Sequence, residues 1–220
     1  MDLVLEPQSR GTSRARLWVI VAVVVTLVAA CALAYIAGRE HAVGHPPASL
    51  DDGGGPADIT WSAAGPWPVP RSATAGPTAT AGGVATGYAH TALGVGVAAW
   101  NIVEQMSSDA GPAIYTATLR EQTYGDPATM LAWIARSPTG GSSPGTAFFY
   151  KIAYGDPTGT DPVLVWLAER TPDSAQQGGY YGAYRSMRWL NGDWRMQVPL
   201  TAPALISDVT GFQALGGPGV

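Results

Sequence analysis

The dipeptide Asn191-Gly192 constrains this chain more tightly than any other feature. It lies between two aromatic-rich runs, Tyr180–Leu190 and Asp193–Val198. Asn-Gly supplies the two positive φ angles of a type I′ turn, and a two-residue loop fixes the register of the flanking strands. Leu190 then faces Asp193, Trp189 faces Trp194, Arg188 faces Arg195 and Met187 faces Met196. Side chains alternate across a strand, so Met187, Trp189, Trp194 and Met196 share a face that is predicted to be core. Arg188 and Arg195 share the other face. Like charges set opposite each other cost stability unless an anion or carboxylate lies nearby, and Glu169 on another strand is a candidate partner. The pair reads either as a small basic contact patch or as two solvated strand arginines.

Two further runs, Ala147–Tyr154 and Val163–Arg170, have the aromatic and β-branched content of strands, with turn signals at Gly155-Asp156-Pro157 and Asp173-Ser174. Helical spacing precedes them. Thr91 is a candidate N-cap for a helix from Ala92 to about Ser107, in which Gly94 and Gly96 weaken the first turn or admit another backbone. A second helix is predicted over Ala113 to Thr123. A third runs from Pro127 to Arg136, capped by Asp126. Helices followed by antiparallel strands indicate an α+β domain. Three helices on a curved four-stranded sheet would make an NTF2-like cone, predicted over residues 91–200 with a tail over 201–220. Residues 61–90, rich in proline, are predicted to be an extended arm anchored by Trp61 and Trp67.

Ahead of the domain, Leu17 to Ala37 is a run without a charged residue. As a helix it would be roughly 31 Å long, the thickness of a hydrocarbon core. Trp18 and Tyr35 stand near its ends, at headgroup depth. Arg10, Arg14 and Arg16 precede it, whereas Arg39 follows beside Glu40, which orients residues 1–16 to the cytoplasm and the domain outward. A retained transmembrane helix over 17–37 is therefore expected, followed by a Pro/Gly-rich flexible linker over 38–60. Two alternatives compete: a cleaved signal peptide, and lipidation at Cys31 after the lipobox-like Val28-Ala29-Ala30.

Charged residues make up only 13% of the chain, the net charge is −4 and Lys151 is the single lysine. That balance lacks the basic footprint of a nucleic-acid binder, so no direct nucleic-acid contact is expected. Cys31 is the only cysteine, so no internal disulfide can form. His41 and His45 lie in the linker without further ligands, and no metal or cofactor is expected. His90 stands beside the N-cap. The carboxylates Asp109, Asp126, Asp156, Asp161, Asp173 and Asp193 fall at turns and caps. Glu104 and Glu121 fall on helices. No two of these form an acid/base pair in sequence, and no catalytic residue is assigned.

Gly76-Pro77-Thr78, Gly87-Tyr88-Ala89-His90-Thr91, the small-residue helix containing Ala98-Ala99-Trp100-Asn101, and Gly192-Asp193-Trp194-Arg195 resemble the motifs of an actinobacterial family of membrane-anchored proteins. The family is encoded in conjugative or integrative elements. Tyr88 replaces the usual phenylalanine. Gly211-Phe212 and Gly216-Gly217 echo a closing motif in which Leu215 replaces an aromatic residue. The resemblance covers about residues 61–217. At the level of fold it extends to NTF2-like scaffold subunits of type IV secretion machines. It implies a non-enzymatic, single-pass scaffold of a DNA-transfer apparatus, contacting the membrane, other apparatus or envelope proteins, or copies of itself. The alternative is an envelope ligand-binding module, which an open aromatic-lined cavity would favour over a filled one. An enzyme would need a carboxylate or histidine pointing into that cavity.

Overall fold

The computed structural model describes residues 58–64, 67–140 and 143–218. Strands β1 (Ile59–Ala64) and β2 (Trp67–Ser72) form one hairpin, and β3 (Ala79–Ala81) and β4 (Val84–Thr86) a second. Helix α1 (Ala92–Gln105) follows, then a 3-10 turn at Ser108–Ala110 and α2 (Pro112–Gln122). Next come β5 (Thr123–Gly125), α3 (Pro127–Ile134), β6 (Ala147–Tyr154) and β7 (Val163–Arg170). The chain continues through α4 (Pro172–Gln176), β8 (Tyr180–Leu190), β9 (Asp193–Val198), β10 (Ala204–Ile206) and β11 (Gln213–Gly216). The main sheet has seven strands in the order β11-β6-β7-β8-β9-β5, with β10 also paired to β8.

The β8–β9 hairpin has the register set by its turn. Asn191 and Gly192 hold φ of 56° and 81°, and Met187, Arg188, Trp189 and Leu190 pair with Met196, Arg195, Trp194 and Asp193. Met187, Trp194 and Met196 are fully buried and Trp189 packs against them. β9 pairs with only the end of β8. The edge it leaves open at Tyr180–Gly182 is taken by β10, so the ladder donors and acceptors there are satisfied.

Helix α1 is capped by Thr91, whose hydroxyl accepts from the Gly94 amide at 3.1 Å. Every residue from Gly94 to Ile102 is buried, so this helix is apolar on all sides. A helix of that kind needs cover all round. The sheet supplies one side and β2 the other, where Asn101 Nδ2 donates to Pro70 O at 2.8 Å. A Cβ on Gly94 would stand 2.0 Å from Ala89 O, and one on Gly96 would enter the Tyr150 ring, so both glycines serve close approach. Trp61 and Trp67 anchor the first hairpin: Trp61 Nε1 donates to Leu215 O at 3.1 Å and Trp67 Nε1 to Ser107 Oγ at 3.2 Å.

Two expectations are corrected here. The domain is not an NTF2-like cone of three helices on a four-stranded antiparallel sheet. Its sheet is seven-stranded and mixed, because β5 pairs parallel to β9, and a hairpin lies over the central helix. The strands of this sheet missed in sequence, β5, β10 and β11, are three or four residues long, too short to show alternation, and the arm expected over 61–90 instead supplies most of the β1–β2 and β3–β4 hairpins. Nor do the described residues include an N-terminal transmembrane helix. Among the described residues no helix is long and apolar enough to cross a membrane, and the longest, α1, has 14 residues, about 21 Å. Leu17, Trp18, Tyr35 and Ala37, with the linker histidines and Cys31, lie outside the described residues.

Three of the motifs noted in sequence meet in one clip. The Asp193 carboxylate accepts from the Gly87 and Tyr88 amides at 2.9 and 3.2 Å. Trp194 Nε1 donates to Ala89 O at 2.9 Å. His90 stacks on Trp189 at 4.2 Å, and its Nε2 shares a hydrogen bond with Gly159 O at 2.9 Å. Thr78 Oγ1 donates to Gly87 O at 3.2 Å. The hairpin thus fixes the backbone that enters α1. We expect Asp193→Ala to lower stability by about 2–4 kcal/mol, because two amides lose a charged acceptor, and Trp194→Phe by about 1 kcal/mol. Chemical denaturation of both variants checks the ranking.

Candidate functional site

The helix-facing side of the sheet and α1 do not close completely against each other. Between them lies a cavity of about 490 Å³. α1 contributes Trp100, Val103 and Glu104 to its wall, α3 contributes Met130 and Trp133, and the sheet contributes Leu167, Glu169, Tyr181, Ala183 and Arg185. Trp67 and the segment Pro199–Pro203 complete it. Leu167 and Glu169 alternate inward on β7, as do Tyr181, Ala183 and Arg185 on β8, because Glu169 pairs with Tyr181 and Leu167 with Ala183. Trp100 and Glu104 stand one helical turn apart on the same face of α1. Trp133 is 60% exposed, high for so large an apolar side chain, and forms part of the rim.

Three charged groups face this largely apolar space. Burial and the neighbouring Glu169 push the Glu104 carboxyl up to about 8. Burial also pushes Glu169 up, to about 7, against the opposing pull of Arg185. Arg185 is brought down to about 10 by burial, with Glu169 working the other way. The Arg185 side chain donates from Nη1 to Tyr184 O at 2.9 Å and to Thr201 O at 3.0 Å. Its Nε is buried without a hydrogen-bond partner. Neither glutamate accepts a hydrogen bond or makes an ion pair within 4 Å among the described residues.

The pocket carboxylates were not singled out in sequence as a pair. The available signals were Glu104 four residues after Trp100 and Glu169 at an inward position of its strand. Glu169 is not the partner of the hairpin arginines. It faces α1, whereas Arg188 and Arg195 project from the opposite side of the sheet. Arg188 is exposed, and Arg195 is half-buried with an unpartnered Nε. On that outer side Trp166 stacks on Tyr184 at 4.9 Å, and Tyr184 is 47% exposed.

Several other residues named from the sequence have structural roles. Thr91 caps α1, and Trp189, Asn191, Gly192, Asp193 and Trp194 build the hairpin and clip. Asp126 caps α3 through the Thr129 amide at 3.1 Å, and Asp109 accepts from the Gly140 amide at 2.6 Å. Among the described residues no three His, Cys, Asp or Glu side chains gather as a metal site.

Residues 32–217 match the family model of a domain of unknown function, DUF8175, and the chain belongs to that family. No curated protein and no solved structure matches the chain.

Raised carboxyl pKa values set the sign of a pH effect. A Glu104 that holds its proton to about 8 when folded, but releases it at 4.5 when unfolded, costs no stability below 4.5 and an increasing amount as pH rises toward 8. Glu104→Gln is therefore expected to raise Tm at pH 8 and to change it little at pH 4, as read by thermal unfolding at the two pH values.

Proposed function

We propose that this member of the DUF8175 family is a non-enzymatic binding domain of the cell envelope whose pocket beneath α1 takes a small ligand. The observation that carries the reading is the cavity of about 490 Å³, lined by Trp67, Trp100, Trp133 and Tyr181, by two carboxylates, and by Arg185 with its unpartnered Nε. Pockets of a few hundred cubic ångströms with apolar walls and a few converging polar groups are the usual form of a small-molecule site. Binding is favoured over catalysis because no described hydrogen bond orients Glu104 or Glu169 as a general acid or base. Placement at a membrane, with the N-terminus inside and the domain outside, belongs to the same proposal. It rests on Arg10, Arg14, Arg16 and the composition of residues 17–37.

A second reading, a contact subunit of a conjugation or type IV secretion-like apparatus, is favoured by the outer side of the sheet. There Arg188 and Arg195 oppose each other, on the face that also carries the exposed Tyr184. The motif resemblance to proteins of conjugative elements supports the same reading. It needs no ligand in the pocket, and the partners would be apparatus proteins or further copies of the chain.

Two measurements separate the readings. Leu200→Trp, which fills the pocket from its wall, is expected to weaken a pocket ligand at least about tenfold, the effect of about 1.4 kcal/mol, while the chain stays folded. A diverse set of amines, acids, alcohols and sugars that gives no ligand sensitive to this substitution defeats the pocket reading. Arg188→Ala with Arg195→Ala is expected to change stability by less than about 0.5 kcal/mol and to abolish copurification of partners from mild detergent. Unchanged DNA transfer after loss of the gene defeats the scaffold reading.

A further inference from the structure

The pocket has an unbalanced electrostatic account. Two carboxylates, Glu104 and Glu169, face one guanidinium, Arg185, and no lysine or histidine lines the space. Arg185 commits Nη1 to the backbone at Tyr184 and Thr201. Its burial leaves it 7% exposed, and its Nε finds no partner, so the protein's own charges do not satisfy one another. Glu104 lies on the roof, and its one electrostatic neighbour, Glu169, repels it. Both carboxylates are half-buried, and only Glu169 feels a counter-charge, that of Arg185; a partly desolvated carboxylate without a donor is unfavourable, and either a proton or a cation relieves it. The surrounding surface suits an organic cation. Trp100 and Trp133 belong to its aromatic lining, a residue type that attracts ammonium groups, and Met130 and Leu200 add apolar lining for a stem.

We infer that the pocket binds an organic cation, an ammonium group on an apolar stem, with the ammonium between the Glu104 and Glu169 carboxylates; this rests on the ligand-binding reading above. A bound ammonium supplies the donors both carboxylates lack and cancels the surplus negative charge. The cation competes with protons for the same oxygens. Glu169 on β7 titrates at about 7 and Glu104 on α1 at about 8, with Arg185 and Tyr181 the other ionisable groups facing them, both from β8. A cation favours the ionised carboxylates, so affinity rises as pH goes from 6 to 9 and binding near neutrality releases protons.

The full-length chain is titrated with n-pentylammonium, n-pentanol, pentanoate and the peptide Gly-Lys-Gly, followed by tryptophan fluorescence and by calorimetry in buffers of different ionisation heat. Pentylammonium is expected to bind at least about tenfold more tightly than pentanol, with proton release and with affinity rising from pH 6 to pH 9. Glu104→Gln and Glu169→Gln should each weaken it about tenfold, whereas Glu121→Gln, on the exposed side of α2, should leave it unchanged. Tighter binding of the peptide identifies a protein-borne lysine as the source of the ammonium, and tighter binding of the amine a free small molecule; either supports the inference. Equal binding of pentanol and pentylammonium, or preference for pentanoate, overturns the cation while keeping the pocket. If no probe binds in a way that Leu200→Trp abolishes, the ligand-binding reading falls with it.

Discussion

The Asp193 carboxylate is the point on which the rest of the domain depends. It sits at the start of β9, next to a turn that leaves it no freedom of register, and it accepts two amides from the segment that leads into α1. A charged acceptor serving two backbone donors is a strong local tie. Through it the most rigid hairpin of the sheet sets where α1 begins. The Trp194 indole and the His90–Trp189 stack brace the same segment. With its start fixed there, α1 crosses the sheet with Trp100 and Glu104 over the cavity and Asn101 turned to the covering hairpin. A polar residue at the rim of the hairpin thus helps place the roof of a pocket built from other elements.

Much of this was legible because local chemistry and tertiary structure agree at the positions concerned. Asn191-Gly192 dictates its turn, Thr91 and Asp126 cap the helices they precede, and the four long strands begin and end where their composition changes. The failures have a common cause in the distance between partners. The strands β5, β10 and β11 exist because longer strands offer them an edge, and their own residues carry little signal. Trp61 and Trp67 were legible as anchors, but their places against Leu215 and Ser107 were not. The motif containing His90 drew attention as a possible site of chemistry. Its role is to receive the hairpin, and sequence spacing alone does not reveal a contact across about a hundred residues.

The two sides of the sheet carry different kinds of unfinished electrostatics. Inside, carboxylates outnumber the available cation in a largely apolar pocket, so protons and ligands compete for them. Outside, the exposed Arg188 opposes the half-buried Arg195, and solvent and salt screen the pair from the Arg188 side. The same cross-strand arithmetic therefore has unequal weight. An inner imbalance shifts titration by units, whereas an outer one leaves a surface ready for an acidic neighbour.

The hydrogen bond from Trp61 to Leu215 spans 154 positions and ties the covering hairpin to the last strand of the sheet. During synthesis the chain emerges from its N-terminal end, so β1 and β2 exist long before β11 is available to receive them. Until then α1, apolar on every side, lacks part of the scaffold that holds its cover in place. A ribosome that stops short of residue 215 leaves a chain with every helix and most of the sheet, yet with its central helix incompletely shielded. The cover of the central helix thus depends on a strand that is made after every helix of the domain.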